Sequence, residues 1–335
     1  MNKFRTYVIP IIVLLLVLNL PLQAVGLKKI AQSGMKWLSI PVGANGAALG
    51  NAYVAMVNDA SSVFWNPAGL GLSEGKHIFL SQTRWIAEIN VNAAAVSWNA
   101  ETWGVFAAHF ISVDWGTFHG TRRANNDQGF VETGTFSPTN YAVGVSYARR
   151  VSDAFSFGGT LKYLYEELGS NLEGSLTDPA DRKTYKAEKS VMAFDFGTIY
   201  YTGFKDLRLA MTLSNFSQEL KYRAEHFQLP LTFKFGVAMD VTQFWKEESD
   251  QKVTLVIDAV HPRDFTERVH FGLEYNFRDM VFLRGGYKTN YDEEDFSLGA
   301  GFQYGLGNFK LGLDYSYVNF QNFDAVHMFS FDFNF

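Results

Sequence analysis

Positions 324–335 alternate without a break. Ala325, His327, Phe329, Phe331, Phe333 and Phe335 fall on one face of an extended chain, and Asp324, Val326, Met328, Ser330, Asp332 and Asn334 on the other. Successive side chains of a strand point to opposite faces, so this is a strand with one aromatic face. The pattern recurs upstream. Phe309, Leu311, Leu313, Tyr315 and Tyr317 alternate with Lys310, Gly312, Asp314 and Ser316. Phe296, Leu298, Ala300, Phe302 and Tyr304 alternate with Ser297, Gly299, Gly301 and Gln303, and Val269, Phe271, Leu273, Tyr275 and Phe277 with His270, Gly272, Glu274 and Asn276. A soluble sandwich also alternates, but its polar face meets water and is usually rich in Lys, Glu and Thr. Here that face is mostly Gly, Ser and Ala with scattered ionisable groups, which suits a crowded barrel interior. The pattern predicts an all-β protein: a transmembrane, antiparallel, up-and-down β-barrel with lipid outside. The aromatic strand ending on Phe335 suits its closing strand.

Alternation and turn residues predict about fourteen strands, centred on 77–81, 91–98, 102–112, 141–149, 155–166, 191–201, 207–214, 231–240, 253–260, 269–277, 281–288, 296–304, 309–318 and 325–335. Tight turns at 99–101, 151–153, 203–205, 278–279 and 305–307 alternate with longer links at 114–140, 169–187, 221–229, 261–266 and 290–295. Short periplasmic turns and longer outer loops are the rule for such barrels. An even strand number puts both barrel ends on the periplasmic side. The link 242–250, with Trp245-Lys246-Glu247-Glu248, is long for a periplasmic turn.

The start of the chain supplies an address. Lys3 and Arg5 precede an apolar run at 8–20, and Leu22-Gln23-Ala24 offers a small residue for cleavage. The run is shorter than the roughly 20 residues a spanning helix needs, so 1–24 is expected to be a secretory signal peptide. With a barrel, this predicts the outer membrane of a diderm bacterium. Residues 25–75 are expected to form an N-terminal hatch inside the lumen of a barrel at 76–335. Gly43, Gly46 and Gly50 allow close backbone approach, and Asn66, Pro67 and Gly69 mark a reversal. A fourteen-stranded barrel is too wide to fill with its own side chains.

Within this segment Trp37-Leu38-Ser39-Ile40-Pro41-Val42-Gly43-Ala44, Ala48-Leu49-Gly50-Asn51-Ala52-Tyr53-Val54-Ala55 and Asn58-Asp59-Ala60-Ser61-Ser62-Val63-Phe64-Trp65-Asn66-Pro67-Ala68-Gly69-Leu70 resemble the N-terminal signature of the PorV/PorQ family. Those are outer-membrane barrels related to the long-chain fatty-acid transporter. The run Gly46-Ala47-Ala48-Leu49-Gly50-Asn51-Ala52 lacks the basic residue and the Gly pair of the usual family pattern. The resemblance implies a fourteen-stranded barrel with a hatch. It leaves function open: the best-studied relatives serve type IX protein secretion, more distant relatives move hydrophobic compounds inward, and a purely structural barrel is a third reading.

Composition narrows the chemistry. The 335 residues include 31 Phe and 16 Tyr, as aromatic girdles require, while charged residues make up 19%. Net charge is −5 without a basic tract, which argues against a nucleic-acid partner. With no Cys, thiol catalysis and cysteine metal sites are excluded. His77, His109, His119, His226, His261, His270 and His327 show no ligand spacing, so neither enzyme activity, metal nor cofactor is expected. Asp292-Glu293-Glu294-Asp295 reads as a solvated hairpin tip. Lys162, Lys234, Asp258, Glu274, Arg284, Lys310, Asp314 and Asp332 project from polar strand faces and are expected in the lumen, since ionisable groups at membrane depth must be paired or wet. They suit plug-to-wall salt bridges or a path for an amphipathic acid. Trp115, Phe118, Arg122, Arg123 and Phe130 in the link 114–140 are candidate surface contacts, because aromatic and Arg side chains dominate binding hot spots. Expected partners are outer-membrane lipid, secreted cargo or other secretion components, and a hydrophobic ligand.

Overall fold

A computed structural model describes residues 32–173, 183–222, 225–245, 250–307 and 309–335. The expected signal peptide, and residues 246–249 of the long turn, lie outside the described residues. Fourteen strands close into one antiparallel barrel: β1 (Lys76–Arg84), β2 (Asn90–Asn99), β3 (Val105–Asp114), β4 (Thr139–Ser152), β5 (Phe155–Glu173), β6 (Lys183–Tyr201), β7 (Arg208–Ser217), β8 (Thr232–Asp240), β9 (Gln251–Pro262), β10 (Arg268–Phe277), β11 (Val281–Lys288), β12 (Glu294–Leu306), β13 (Phe309–Phe320) and β14 (Val326–Asn334). Each strand pairs with its sequence neighbour. Closure comes from β1 against β14, in register from His77↔Asn334 to Arg84↔His327.

Period-2 sequence becomes period-2 burial. Along β1 every second residue is buried, His77, Phe79, Ser81 and Thr83 facing in, while Ile78 and Leu80 face out. Leu311 and Leu313 are each 46% exposed, whereas Ser316 is 0% exposed. The exposed side of the wall is thus its apolar side, the reverse of a water-soluble protein and the arrangement a lipid solvent demands.

Two links differ from expectation. Most of 169–187 is strand: β5 and β6 continue in register from Ser170↔Lys186 to Glu173↔Lys183, after a bulge between Glu167 and Ser170. The bulge resets the alternation, and a strand outside the bilayer needs no apolar face, so its sequence reads as a loop. The link 114–140 contains a hairpin of Phe118–Arg123 against Phe130–Phe136.

Residues 33–72 run through the barrel. They form a 3-10 turn (Lys36–Ser39), two short helices, α1 (Ala44–Ala48) and α2 (Ser62–Trp65), and a second 3-10 turn (Pro67–Leu72). Their hydrogen bonds reach Ser330 on β14, Ser297 on β12, Asp258 on β9, Thr198 on β6 and Ser156 on β5. Contacts with strands spaced around the whole ring place the segment inside it. Every hydrophobic cluster among the described residues includes side chains of this segment, from Met35 and Trp37 at one end to Leu70 at the other. The core of the molecule is the seam between segment and wall.

Small residues on the wall make that seam possible. A Cβ on Gly286 would lie 1.9 Å from the backbone nitrogen of Gly50, and one on Gly197 1.9 Å from Asn66 Oδ1. Both clashes are with atoms of the threaded segment, so the Gly-rich inner face is a docking track for backbone.

Candidate functional site

Asn66 is the best-anchored residue of the segment. Its Nδ2 donates to the carbonyls of Val54 (2.9 Å) and Thr198 (3.2 Å), and its Oδ1 accepts from the Ala68 amide (3.1 Å). Pro67 follows at the first position of a 3-10 turn, where it has no N–H to waste. The Gly69 amide closes that turn onto the Asn66 carbonyl at 2.9 Å. Gly43 precedes α1 with φ 102° and Gly50 follows it with φ 65°, a left-handed backbone that favours glycine. Gly46 lies against the Trp65 indole, leaving no room for a Cβ. These six residues shape the segment and press it to the wall.

The expected lumenal charges separate into pairs. Lys162 Nζ donates to Asp195 Oδ2 and Asn215 Oδ1, both at 2.7 Å, at a bulge between β6 and β7 that the Asn215 amide staples to Asp195 Oδ1 (2.7 Å). Arg284 bridges Glu274 (2.6 Å) and Asp314. Asp258 Oδ2 accepts the amides of Tyr53 (2.9 Å) and Val54 (3.2 Å), tying segment to wall. Asp332 approaches His77 Nδ1 at 3.6 Å. Lys234 places its ammonium 5.1 Å from the centre of the Trp65 ring. Lys310 departs from the set: it is exposed at the rim, opposite Gly305 beside a short turn. Position on a polar face gives the facing of a residue, not its depth. The strand reading missed Asp195, although its place between Phe194 and Phe196 carries the same inward signal.

The candidate surface residues also divide. Trp115 donates Nε1 to Asn140 Oδ1 (3.0 Å) and packs toward Trp37 at the barrel mouth. Phe118 stacks on Phe136 at 5.7 Å in the outer hairpin, which also carries Arg122, Arg123 and Phe130. At the acidic tip Glu293 accepts from Asn322, Glu294 pairs with Lys288 and Asp295 accepts from Asn319. Among the described residues no three His, Asp or Glu side chains converge as metal ligands would.

Residues 33–41 form a strap across the mouth on the side of the longer loops. The Gly34 amide donates to the Gln228 carbonyl (3.0 Å), Lys36 Nζ to Asp264 Oδ2 (2.6 Å), and the Ser33 hydroxyl to the same carboxylate. Burial alone would raise the Asp264 pKa. The bonds from Lys36 and Ser33 outweigh it and hold the carboxyl below its usual range. Beneath the strap, between it, α2 and the wall, lies a cavity of about 470 Å³. Trp37, Trp65, Trp85 and Trp115 line it together with Lys162, Lys234 and Arg268.

No curated protein matches the chain. Solved structures do. The CymD monoaromatic hydrocarbon channel aligns at 14% identity with TM-score 0.58, over 88% of this chain and 98% of that one. The Pseudomonas putida toluene transporter TodX aligns at 11% and 0.57, over 88% and 97%. A Pseudomonas aeruginosa FadL homologue aligns at 11% and 0.51, over 88% and 98%. At such identities the likeness establishes the fold, that of fourteen-stranded outer-membrane barrels. The profile of the family described as type IX secretion system membrane protein PorP/SprF matches residues 125–333, more than half of the chain. The PorV/PorQ-like signature at 37–70 lies outside that span. The chain is an outer-membrane β-barrel and belongs to the PorP/SprF family of type IX secretion system membrane proteins.

Proposed function

We propose that this protein serves type IX-like secretion as a non-enzymatic barrel that engages cargo or other secretion components through its outer loops. The family match over 125–333 carries this reading, and that span includes most of the outer loops. The hairpin Phe118–Arg123 with Phe130–Phe136 is the leading contact surface, since Phe118, Phe130 and Phe136 are exposed there beside two arginines. The signature at 37–70 favours a member close to the PorV/PorQ type. The test is an in-frame deletion in the producing bacterium, complemented with the intact gene or with one whose 118–136 hairpin is replaced by a short turn. Loss of proteins from the culture medium, restored by the first gene and not the second, supports the reading. An unchanged set of secreted proteins in the deletion strain sinks it.

A specific observation favours a second reading, a channel for hydrophobic or amphipathic small molecules. The aromatic-lined cavity lies beneath a strap held by few bonds, in a fold whose solved examples include a hydrocarbon channel and a toluene transporter. Release of a trapped fluorescent amphiphile from proteoliposomes tests it. No acceleration over protein-free vesicles would exclude passage.

A further inference from the structure

The cavity beneath the strap has an uneven charge inventory. Three acids line it: Asp195, Asp264 and Glu294. Each already has a cation in direct contact, respectively Lys162, Lys36 and Lys288. Lys234 and Arg268 line the same cavity and have no carboxylate within 4.0 Å among the described residues. The nearby Asp258, at the diagonal position across the β8–β9 pair, gives its Oδ2 to the Tyr53 and Val54 amides and leaves its buried Oδ1 without a hydrogen-bond partner, so it is a counter-charge to Lys234 beyond direct contact, and Arg268 is the less compensated cation.

Aromatic faces hold both cations in place. The Lys234 ammonium lies 5.1 Å from the Trp65 ring centre, and the Arg268 guanidinium 3.9 Å from that of Tyr291 and 4.4 Å from that of Phe265. Cation–π contacts fix a charge without neutralising it. Arg268 Nε is buried and has no hydrogen-bond partner among the described residues. A buried donor left unpaired is costly unless something completes it. A concave site of this size, with tryptophans on one side and polar groups converging on the other, has the size and concavity of a small-molecule site.

We infer that this cavity binds an amphipathic anion: one carboxylate facing Lys234 and Arg268, on a flat apolar body lying among Trp37, Trp65 and Trp115. The inference deepens the small-molecule reading and distinguishes this cavity from one built for a neutral hydrocarbon, which would leave the Arg268 guanidinium desolvated without gain.

Three naphthalene probes of similar shape separate charge from bulk: 2-naphthoate, the neutral 2-naphthalenemethanol and the cationic 2-naphthylmethylamine. Binding is measured by titration calorimetry at pH 7 on the full chain in nanodiscs, against empty nanodiscs. The acid is expected to bind at least about tenfold more tightly than the alcohol, and the amine not at all, since only the acid brings a charge to complete the charge-assisted hydrogen bonds. Lys234→Met and Arg268→Gln should each weaken the acid by about tenfold and leave the alcohol nearly unchanged. Equal affinity for acid and alcohol in the intact protein overturns the inference without recourse to any variant. So does undiminished acid binding in both variants. Passage is measured separately, as efflux from proteoliposomes. Acid binding without efflux upholds the anion site and removes the channel reading, whereas efflux that favours the alcohol, with no preference for the acid in binding, removes the anion site and leaves the channel.

Discussion

Gly285 and Gly286 are adjacent, yet they face different worlds. A Cβ on Gly286 would meet the Gly50 backbone nitrogen at 1.9 Å, whereas one on Gly285 meets only a methyl group of Leu298 at 3.8 Å. Backbone cannot rotate away as a side chain can. Gly286→Ala should therefore cost about 1–3 kcal/mol, the usual cost of overpacking, and Gly285→Ala much less. Urea titrations in liposomes check the pair, and equal losses would contradict the docking track. Asp258 makes the complementary attachment, one carboxylate oxygen receiving two amides of the threaded segment. Asp258→Ala should lose about 1–3 kcal/mol, more than Asp258→Asn, which retains an acceptor. The same titration reads both. The inward facing of these residues was legible from strand phase alone. What they touch was not, because their partners lie some two hundred residues away in sequence.

Strands behave as two-faced elements. Leu313→Arg places charge in lipid and should cost about 2–4 kcal/mol, whereas Leu311→Arg, one residue from the rim, should cost less. Gly312→Ser, between them but facing Asp332 in the lumen, should cost far less. Similar losses at all three positions in a liposome unfolding titration would contradict the assigned faces. All fourteen strands were legible because lipid outside and a packed lumen inside enforce a strict period of two. Where that constraint ends, legibility ends, as in the extensions of β5 and β6 beyond their bulge. The run from Gly43 to Gly50 likewise reads only as a place for close backbone approach but contains the helix α1, packed against the wall. The strap is packed by Met35 and Trp37 and tied to the outer loops through Gly34, Ser33 and Lys36. Its anchor Asp264 has a pKa below the ordinary 3.8, so the anchor is fully present above that value and is lost as pH falls through the lowered one. A spin label on Ser39→Cys, in a chain with no other cysteine, should be immobile at neutral pH and gain mobility on acidification through that range. Unchanged mobility well below it would show that Asp264 is not the anchor.

At the scale of the whole molecule, the barrel and its contents form one structure. The wall supplies closure through β1 and β14, and the segment 33–72 supplies the other half of the core. A lumen filled by chain agrees with the hydrophobic residues Trp37, Leu49, Tyr53, Val54 and Trp65, which need burial and would not suit a polar tail. The secretion partners were not legible, because the groups that recognise them face outward and satisfy no constraint inside the fold. The plug itself is the central claim, and single-channel recording in planar bilayers tests it most directly. The intact protein is compared with a variant in which 33–72 is replaced by a short Gly-Ser linker, its folding verified by heat-modifiable mobility. The plugged barrel predicts little or no conductance for the intact chain and large, stable openings for the folded variant. A folded variant that conducts no more than the intact protein would contradict it.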